Sequence, residues 1–249
     1  MNQDYIDWNG KRIEYEWERT KRKTIGITIT TDGKVKVKVP MYLTEEEIKN
    51  CVRRKGQWII STLEKMKIRQ QQLPVRQYQN GGVFFYLGKK YVLNVRRVSS
   101  IREGFRKIYL LSNKEENEPG VLLLEFSDVH PEGEEIKALL ELWYRNQAKA
   151  YIKEKAFAYS RIIPCDYGTI RIKNQKTCWG SCSVKGNLNF NWRLMMAPAE
   201  IVDYVIVHEL CHRLEMNHSS RFWALVEKQI PDFRMRRAWL KENSNQLFW

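Results

Sequence analysis

The chain has 249 residues, of which 43% are hydrophobic, 12% aromatic and 29% charged, and its formal net charge is +14. This length fits one large domain or two small ones, and the hydrophobic residues suffice for a packed core. The longest apolar runs, VFFYL at 83–87 and VLLL at 121–124, fall far short of the roughly 20 residues that cross a bilayer, so no part of the chain resembles a membrane span.

The cysteines and the first residues predict a cytoplasmic protein. The first twelve residues, MNQDYIDWNGKR, are polar and include acids, so they do not form the apolar core of a secretory signal. Without export, an odd number of cysteines is expected to remain as reduced thiols. The five are Cys51, Cys165, Cys178, Cys182 and Cys211.

The positive charge is concentrated in the first part of the chain. Residues 1–118 contain 25 Lys and Arg against 14 Asp and Glu, whereas residues 119–249 contain 18 against 15. A basic region of this kind attracts polyanions such as nucleic acid. A solvated surface that only keeps the protein soluble is an equally good interpretation.

The first elements of the chain read as strands followed by a helix. TIGITIT (24–30) and KVKVKV (34–39) flank the turn residues Asp32-Gly33, which predicts a β-hairpin. A helix is predicted over 44–72, where Thr44 and Glu47 have the spacing of a capping box, and Gly56 interrupts the helical pattern.

A second β region is predicted at about 83–126, and the most loop-like segment near its end is NKEENEPG (113–120). We place the domain boundary there, which gives a β-rich, basic N-terminal region over 1–118 and a second domain over 119–249. No internal repeat is evident.

The second domain begins with a long helix that Pro164 ends. Strand-like segments follow at 169–172 and 178–192, with a turn at Lys185-Gly186-Asn187, and Pro198 precedes another helix. The strand NLNFNW (187–192) is a candidate sheet edge with which a bound peptide could pair.

Three of the four histidines fall within DYVIVHELCHRLEMNHSSRFW, residues 203–223. On a helix, residues four apart are offset by about 40°, so His208 and His212 face the same side and can bind one metal ion. Glu209 lies beside them, displaced from the metal but placed to hydrogen-bond a water molecule. H-E-x-x-H is therefore typical of a zinc site with a carboxylate base.

A catalytic zinc takes three protein ligands and keeps a position open for water. His218 is the first candidate for the third ligand, with Asn217 adopting a left-handed conformation to end the helix and Ser219 capping the next one. Glu215 and Glu227 are the alternatives.

At these residues the chain resembles the YgjP-like family of zinc metallopeptidases, which are related to SprT-like proteases. The segments that carry the resemblance are YVIVHELCH…NHSSRFW and TCWGSCSVKGNLNFNWRLMMAP, with RKTIGITITTDGKVKVKVP, QWI and RAWLKEN elsewhere. The resemblance covers nearly the whole chain. Where the family usually has a basic residue, this chain has Cys178.

The resemblance implies an α+β fold in which the β-rich region precedes a gluzincin-like zincin catalytic domain, with the active-site helix under a small antiparallel sheet. It implies zinc at His208, His212 and His218, with Glu209 as general base. The predicted function is hydrolysis of a protein or peptide substrate by a zinc-activated water.

Two other functions remain open. One is zinc-dependent hydrolysis of nucleotide phosphoanhydrides, although the chain has no Gly-rich phosphate loop. The other is a nucleic-acid-associated binding protein with a weakly active zinc site. The sequence does not indicate the oligomeric state.

Overall fold

The computed structural model describes residues 2–30, 32–71, 77–99, 104–113, 118–127, 129–175 and 178–247. The chain divides into two compact units, Met1–Leu73 and Pro74–Trp249. Among the described residues, every helix is too short or too polar to span a membrane.

The N-terminal unit contains a four-stranded sheet. Its strands are β1 (Asn2–Trp8), β2 (Lys11–Thr20), β3 (Gly26–Ile29) and β4 (Val35–Pro40), in the spatial order β1-β2-β4-β3. β1 pairs with β2 and β3 pairs with β4 in antiparallel fashion, whereas β2 and β4 are parallel. The hairpin predicted from residues 24–39 is confirmed as β3–β4.

Two helices complete the core of this unit. They are α1 (Glu45–Arg54) and α2 (Gly56–Gln71), and the capping box of Thr44 and Glu47 is present as predicted. α1 ends at the C-cap Lys55 and α2 begins at Gly56, where a Cβ would collide with the ring of Trp8. The core residues are Ile6, Ile13, Tyr15, Trp17, Val35, Val37, Val39, Ile48, Val52 and Ile59.

The second unit begins with another four-stranded sheet. Its strands are β5 (Val83–Tyr86), β6 (Lys89–Arg97), β7 (Arg106–Leu111) and β8 (Gly120–Phe126), followed by the helix α3 (Gly133–Ile162). The domain boundary expected near 118 falls between β7 and β8, which are hydrogen-bonded neighbours. The division lies instead after Leu73, because this sheet shares one apolar core with α3 and the helices that follow.

The two four-stranded sheets have the same topology. The second has the order β5-β6-β8-β7, with antiparallel outer pairs and a parallel central pair, as in the first sheet. Both first hairpins close with a two-residue turn of positive φ, at Asn9-Gly10 (48° and 75°) and Leu87-Gly88 (48° and 77°). The expectation of no internal repeat is therefore wrong at the level of topology.

The third sheet lies in the second half of the chain. Its strands are β9 (Ile170–Lys173), β10 (Gly180–Cys182) and β11 (Leu188–Asn191), in the order β10-β11-β9. β11 is antiparallel to β10 but parallel to β9, so the small sheet is mixed and not antiparallel as expected. The predicted edge strand is also wrong, because β11 is central and β10 forms an edge.

The remaining elements are helical. A 3-10 helix (Trp192–Met196) leads into α4 (Ala199–Cys211), which is followed by α5 (Ser220–Gln229), α6 (Phe233–Asn243) and a second 3-10 helix (Ser244–Leu247).

Candidate metal centre

The three histidines predicted to bind metal lie together. His208 is in the last turn of α4, His212 caps the C-terminal end of this helix, and His218 lies just before α5. Each offers one ring nitrogen, and these three nitrogens lie within 4.8 Å of one another. The Nε2 atoms of His208 and His218 are 3.0 Å apart. The cluster can therefore present three nitrogen ligands to one ion.

α4 is a rigid support for this cluster because it is packed on almost all sides. Its buried residues are Ile201, Val202, Tyr204, Val205, Ile206, Val207, Glu209, Leu210 and Cys211. An ionisable group inside such a helix costs free energy unless it has a partner. The presence of His208 and Glu209 here indicates a functional role rather than a contribution to stability.

A short turn brings His218 back towards α4. The helix ends where the carbonyl of Cys211 accepts the N–H groups of Leu214 and Glu215, both at 3.0 Å. Among the described non-glycine residues only Asn9 and Leu87 have positive φ, so the expected left-handed conformation of Asn217 is wrong. The hydrogen bonds to the Cys211 carbonyl turn the chain back towards α4 without a residue in the left-handed conformation.

The start of α5 fixes His218. The Ser219 hydroxyl accepts the Phe222 N–H at 3.2 Å, which confirms the predicted cap. Phe222 stacks on the ring of His212 with a centroid distance of 4.4 Å, and Trp223 stacks on His218 at 5.5 Å. These two aromatic residues hold the imidazoles in place. Phe222 was not among the site residues predicted from the sequence.

Hydrogen bonding orients one imidazole. Nδ1 of His212 lies 3.2 Å from the backbone carbonyl of Glu215, so Nδ1 donates and Nε2 is left with a lone pair for a metal. Nδ1 of His208 is buried and has no hydrogen-bond partner among the described residues. Its Nε2 faces His218, which makes Nε2 the available ligand atom.

Burial controls the protonation of the site. It lowers the pKa of His208 to about 3, with smaller contributions from His212 and His218, and it also lowers the pKa of His212. Neutral imidazole is the form that binds a metal ion. Glu209 is only 5% exposed, and burial raises its pKa to about 8 in the metal-free protein.

The alternative third ligands are not part of the cluster, which consists of the three histidines alone among the described His, Cys, Asp and Glu groups. Glu215 contributes its backbone carbonyl to His212. The carboxylate of Glu227 is paired with Arg234 at 2.7 Å.

Gly180 is a residue of the site that sequence reasoning missed. A Cβ at Gly180 would lie 2.5 Å from Oε1 of Glu209 and 2.9 Å from its Cδ. The first residue of β10 therefore packs directly on the buried carboxylate, and only glycine leaves room for it. A glycine inside a strand-like segment is a known sign of such close approach.

The cysteines and tryptophans near the site serve mainly in packing. All five cysteines are free thiols, as expected, and Cys211 is fully buried in the core. Trp192 is also fully buried, while Trp179 and Trp223 are partly buried against the same core.

Comparisons with known proteins identify the family to which this chain belongs. A search of curated proteins returns no match. Among solved structures, the metallopeptidase zymogen of Pyrococcus abyssi abylysin is 24% identical with a TM-score of 0.34, over 36% of this chain and 93% of that chain. The metallopeptidase zymogen of Methanocaldococcus jannaschii jannalysin is 21% identical with a TM-score of 0.31, over 35% and 93%. The sequence profile described as YgjP-like, metallopeptidase domain, matches residues 23–243, so this chain belongs to the YgjP-like metallopeptidase family.

Proposed function

We propose that this chain is a zinc-dependent peptidase in which His208, His212 and His218 hold the metal and Glu209 is the general base. The observation that carries the proposal is the convergence of three imidazole nitrogens at the end of the helix that also carries the buried carboxylate of Glu209. Three nitrogen ligands suit zinc and leave a coordination position open for chemistry.

The protein's own groups favour a metal at this place. Nε2 of His208 and Nε2 of His218 face each other at 3.0 Å, and His212 is oriented by the Glu215 carbonyl. The lowered pKa values of His208 and His212 favour the neutral form of both rings, so protons compete less with a metal at these two ligands.

When bound, zinc acidifies a water molecule and polarises the substrate carbonyl. Glu209 accepts the proton of the attacking water on a carboxylate oxygen and later donates it to the leaving nitrogen. Burial keeps bulk water away from the Glu209 carboxylate, and Gly180 packs directly against this carboxylate. A base requires ionised Glu209, and a cation held by His208, His212 and His218 would favour that form.

The edge strand β10 is a suitable place for an extended substrate. Asn191 donates its N–H to the carbonyl of Trp179, and Ser183 donates to Asn187, each at 2.9 Å. Because antiparallel pairing alternates, the backbone groups of Gly180 and Cys182 point to the open side of β10. A peptide that pairs there lies next to Glu209, which supports a gluzincin-like arrangement of strand and helix.

The five free thiols support the expected reducing compartment, such as the cytoplasm.

The test is detection of new peptide termini by mass spectrometry in a denatured proteome incubated with zinc-loaded protein. Wild type and Glu209→Gln are compared at equal zinc content, measured by elemental analysis. We expect cleavage by wild type alone. Equal zinc content with no cleavage by wild type would refute simple peptidase activity on unfolded chains.

The same samples separate the alternatives. Release of phosphate or pyrophosphate from nucleotides by wild type but not by Glu209→Gln would instead indicate the phosphoanhydride hydrolase. For the ligands, His218→Ala should lower the zinc content, whereas Glu227→Gln and Glu215→Gln should retain it. Loss of zinc from Glu227→Gln would identify Glu227, and not His218, as the third ligand.

A further inference from the structure

The N-terminal unit contains a groove that the peptidase proposal does not use. It has a volume of about 830 Å³ and lies between β3, the end of β4 and the junction of α1 and α2. Its floor is apolar and includes Ile25, Ile27 and Leu43. Its charged lining residues are Lys23, Arg54 and Lys55, and no acidic residue lines it.

The positive charge of this groove is not neutralised by the protein. Lys23, Arg54 and Lys55 are exposed, and none has a carboxylate partner within 4.0 Å among the described residues. Elsewhere in the unit, Arg19, Lys21, Arg22, Arg53, Lys65 and Lys67 also lack a carboxylate partner among the described residues, whereas six other basic side chains have one. These six are Lys11, Arg12, Lys34, Lys36, Lys38 and Lys49. The groove is therefore lined by positive charge that no carboxylate of the described residues neutralises.

One of the cations is also held in position. Nη2 of Arg54 lies 3.0 Å from Sγ of Cys51, one turn earlier on α1 and also in the groove lining. A guanidinium oriented in this way loses less side-chain entropy when it binds an anion.

Two exposed aromatic rings line the same groove. Tyr42 is 76% exposed and Trp58 is 46% exposed, although both are large side chains that proteins usually bury. Rings beside unpaired cations are the combination with which proteins bind unpaired bases and their phosphates, because each base stacks on a ring while the backbone follows the charge.

We propose that this groove binds single-stranded nucleic acid. Lys23, Arg54 and Lys55 contact the phosphates, and Trp58 and Tyr42 stack against the bases. Single strands are favoured over duplex because only unpaired bases expose a face to an aromatic ring. The apolar floor of the groove favours contact with bases over contact with phosphates.

The charge contribution is tested by fluorescence anisotropy with a labelled single-stranded dT20 oligonucleotide and the full-length protein at 50–200 mM salt. The triple variant Lys23→Gln/Arg54→Gln/Lys55→Gln should bind at least tenfold more weakly, and the slope of log K against log salt should fall by about 2. The matched control is Lys34→Gln/Lys36→Gln/Lys38→Gln, which removes the same charge from ion-paired positions and should change affinity less than twofold. Equal losses in both triples would show diffuse attraction and overturn the proposal.

The stacking contribution is tested separately. Trp58→Ala should weaken binding by about five- to 100-fold with an unchanged salt slope, and Trp58→Phe should restore most of it. Failure of wild type to bind dT20 at 50 mM salt contradicts the proposal. So does equal affinity for duplex DNA or heparin together with no effect of Trp58→Ala, which would identify a general polyanion surface.

Binding and proteolysis are distinguishable in these experiments. Glu209→Gln should bind dT20 as wild type does, because Glu209 belongs to the second compact unit. A loss of binding in Glu209→Gln would contradict the assignment of the groove to residues 23–58.

Discussion

The two four-stranded sheets share one topology but serve different purposes. In the first, the Asn9-Gly10 turn has open space around it, since a Cβ at Gly10 would meet no atom within 4 Å. In the second, the Leu87 N–H donates to the Met195 carbonyl at 2.7 Å, and a Cβ at Gly88 would lie 2.9 Å from Cα of Pro198. The second turn therefore docks on the segment that leads into α4.

This difference explains an unusual conformation. Asn tolerates positive φ, whereas Leu rarely adopts it. Leu87 keeps a φ of 48° because its docking to Met195 and the core offsets the strain. The first sheet thus forms a self-contained unit with α1 and α2. The second sheet helps to support α4, the helix that carries His208.

The proposed peptidase site lies in the second unit. We expect Glu209→Gln to lower turnover by about 10²–10⁴ with metal retained, because a general base contributes that much. The matched carboxylate change in the first unit, Glu18→Gln on β2, should leave turnover unchanged. Peptide cleavage rates at equal zinc content measure this, and a loss of activity in Glu18→Gln would break the assignment.

The metal-free second unit should lose stability as pH rises, because burial raises the pKa of Glu209 to about 8 from its usual 4.5. The folded form keeps this proton between pH 6.5 and 8 while the unfolded chain has released it. The free energy of unfolding should therefore fall by about 2 kcal/mol across this pH range. His208 and His212, whose pKa values burial lowers, oppose this fall slightly near pH 6.5, where the unfolded chain still binds part of their protons, and they do so equally in Glu209→Gln.

Glu209→Gln has no such proton to lose, so its stability should not fall over the same pH range. Urea unfolding in EDTA at several pH values compares the two proteins. Parallel pH profiles for wild type and Glu209→Gln would contradict the buried, protonated carboxyl.

The two turns should respond differently to alanine. Gly88→Ala adds a Cβ against Pro198 to the strain of positive φ, and should cost about 2–4 kcal/mol of unfolding free energy. Gly10→Ala has the strain alone and should cost about 1 kcal/mol. Thermal and urea unfolding of the pair measures the difference, and equal costs would show that the second turn is not docked in solution.

A second pair of glycines separates activity from stability. Gly180→Ala displaces Glu209 and should lower turnover by about 10- to 100-fold while zinc remains bound, because small displacements of a catalytic group are costly. Gly56→Ala moves the Trp8 ring and should destabilise the first unit without changing turnover. An unchanged cleavage rate in Gly180→Ala would show that Gly180 does not position Glu209 for catalysis.

The smallest effect is expected from Asn9→Leu, which gives the first turn the residue of the second. Without docking to offset the strain, the first unit should lose about 1 kcal/mol. Urea unfolding checks this value. A neutral result would show that docking is not needed for leucine to adopt this turn.

The sequence predicted the parts of the structure that depend on local spacing. The β3–β4 hairpin, the capping box at Thr44, the break at Gly56 and the cap at Ser219 are all confirmed. The three histidines also cluster as expected, because two share a helix and the third lies a few residues beyond.

Features that depend on pairing between distant segments could not be predicted. Strand order decides that β11 is central and β10 an edge, and neither spacing nor propensity encodes it. The contact of Gly180 with Glu209 joins segments that are far apart in sequence. The domain boundary was misplaced because the loop at 113–120 interrupts a sheet without separating two cores.

The shortness of β10 has a consequence for what this site would recognise. Only Gly180 and Cys182 present backbone groups to its open side, and such groups pair with any chain in the extended conformation, whatever its side chains. Helices and strands already paired within a folded protein cannot meet this requirement. A peptidase built on this edge would therefore respond to the local loss of structure in its target, and it would act as a sensor of unfolding before it acts as a reader of sequence.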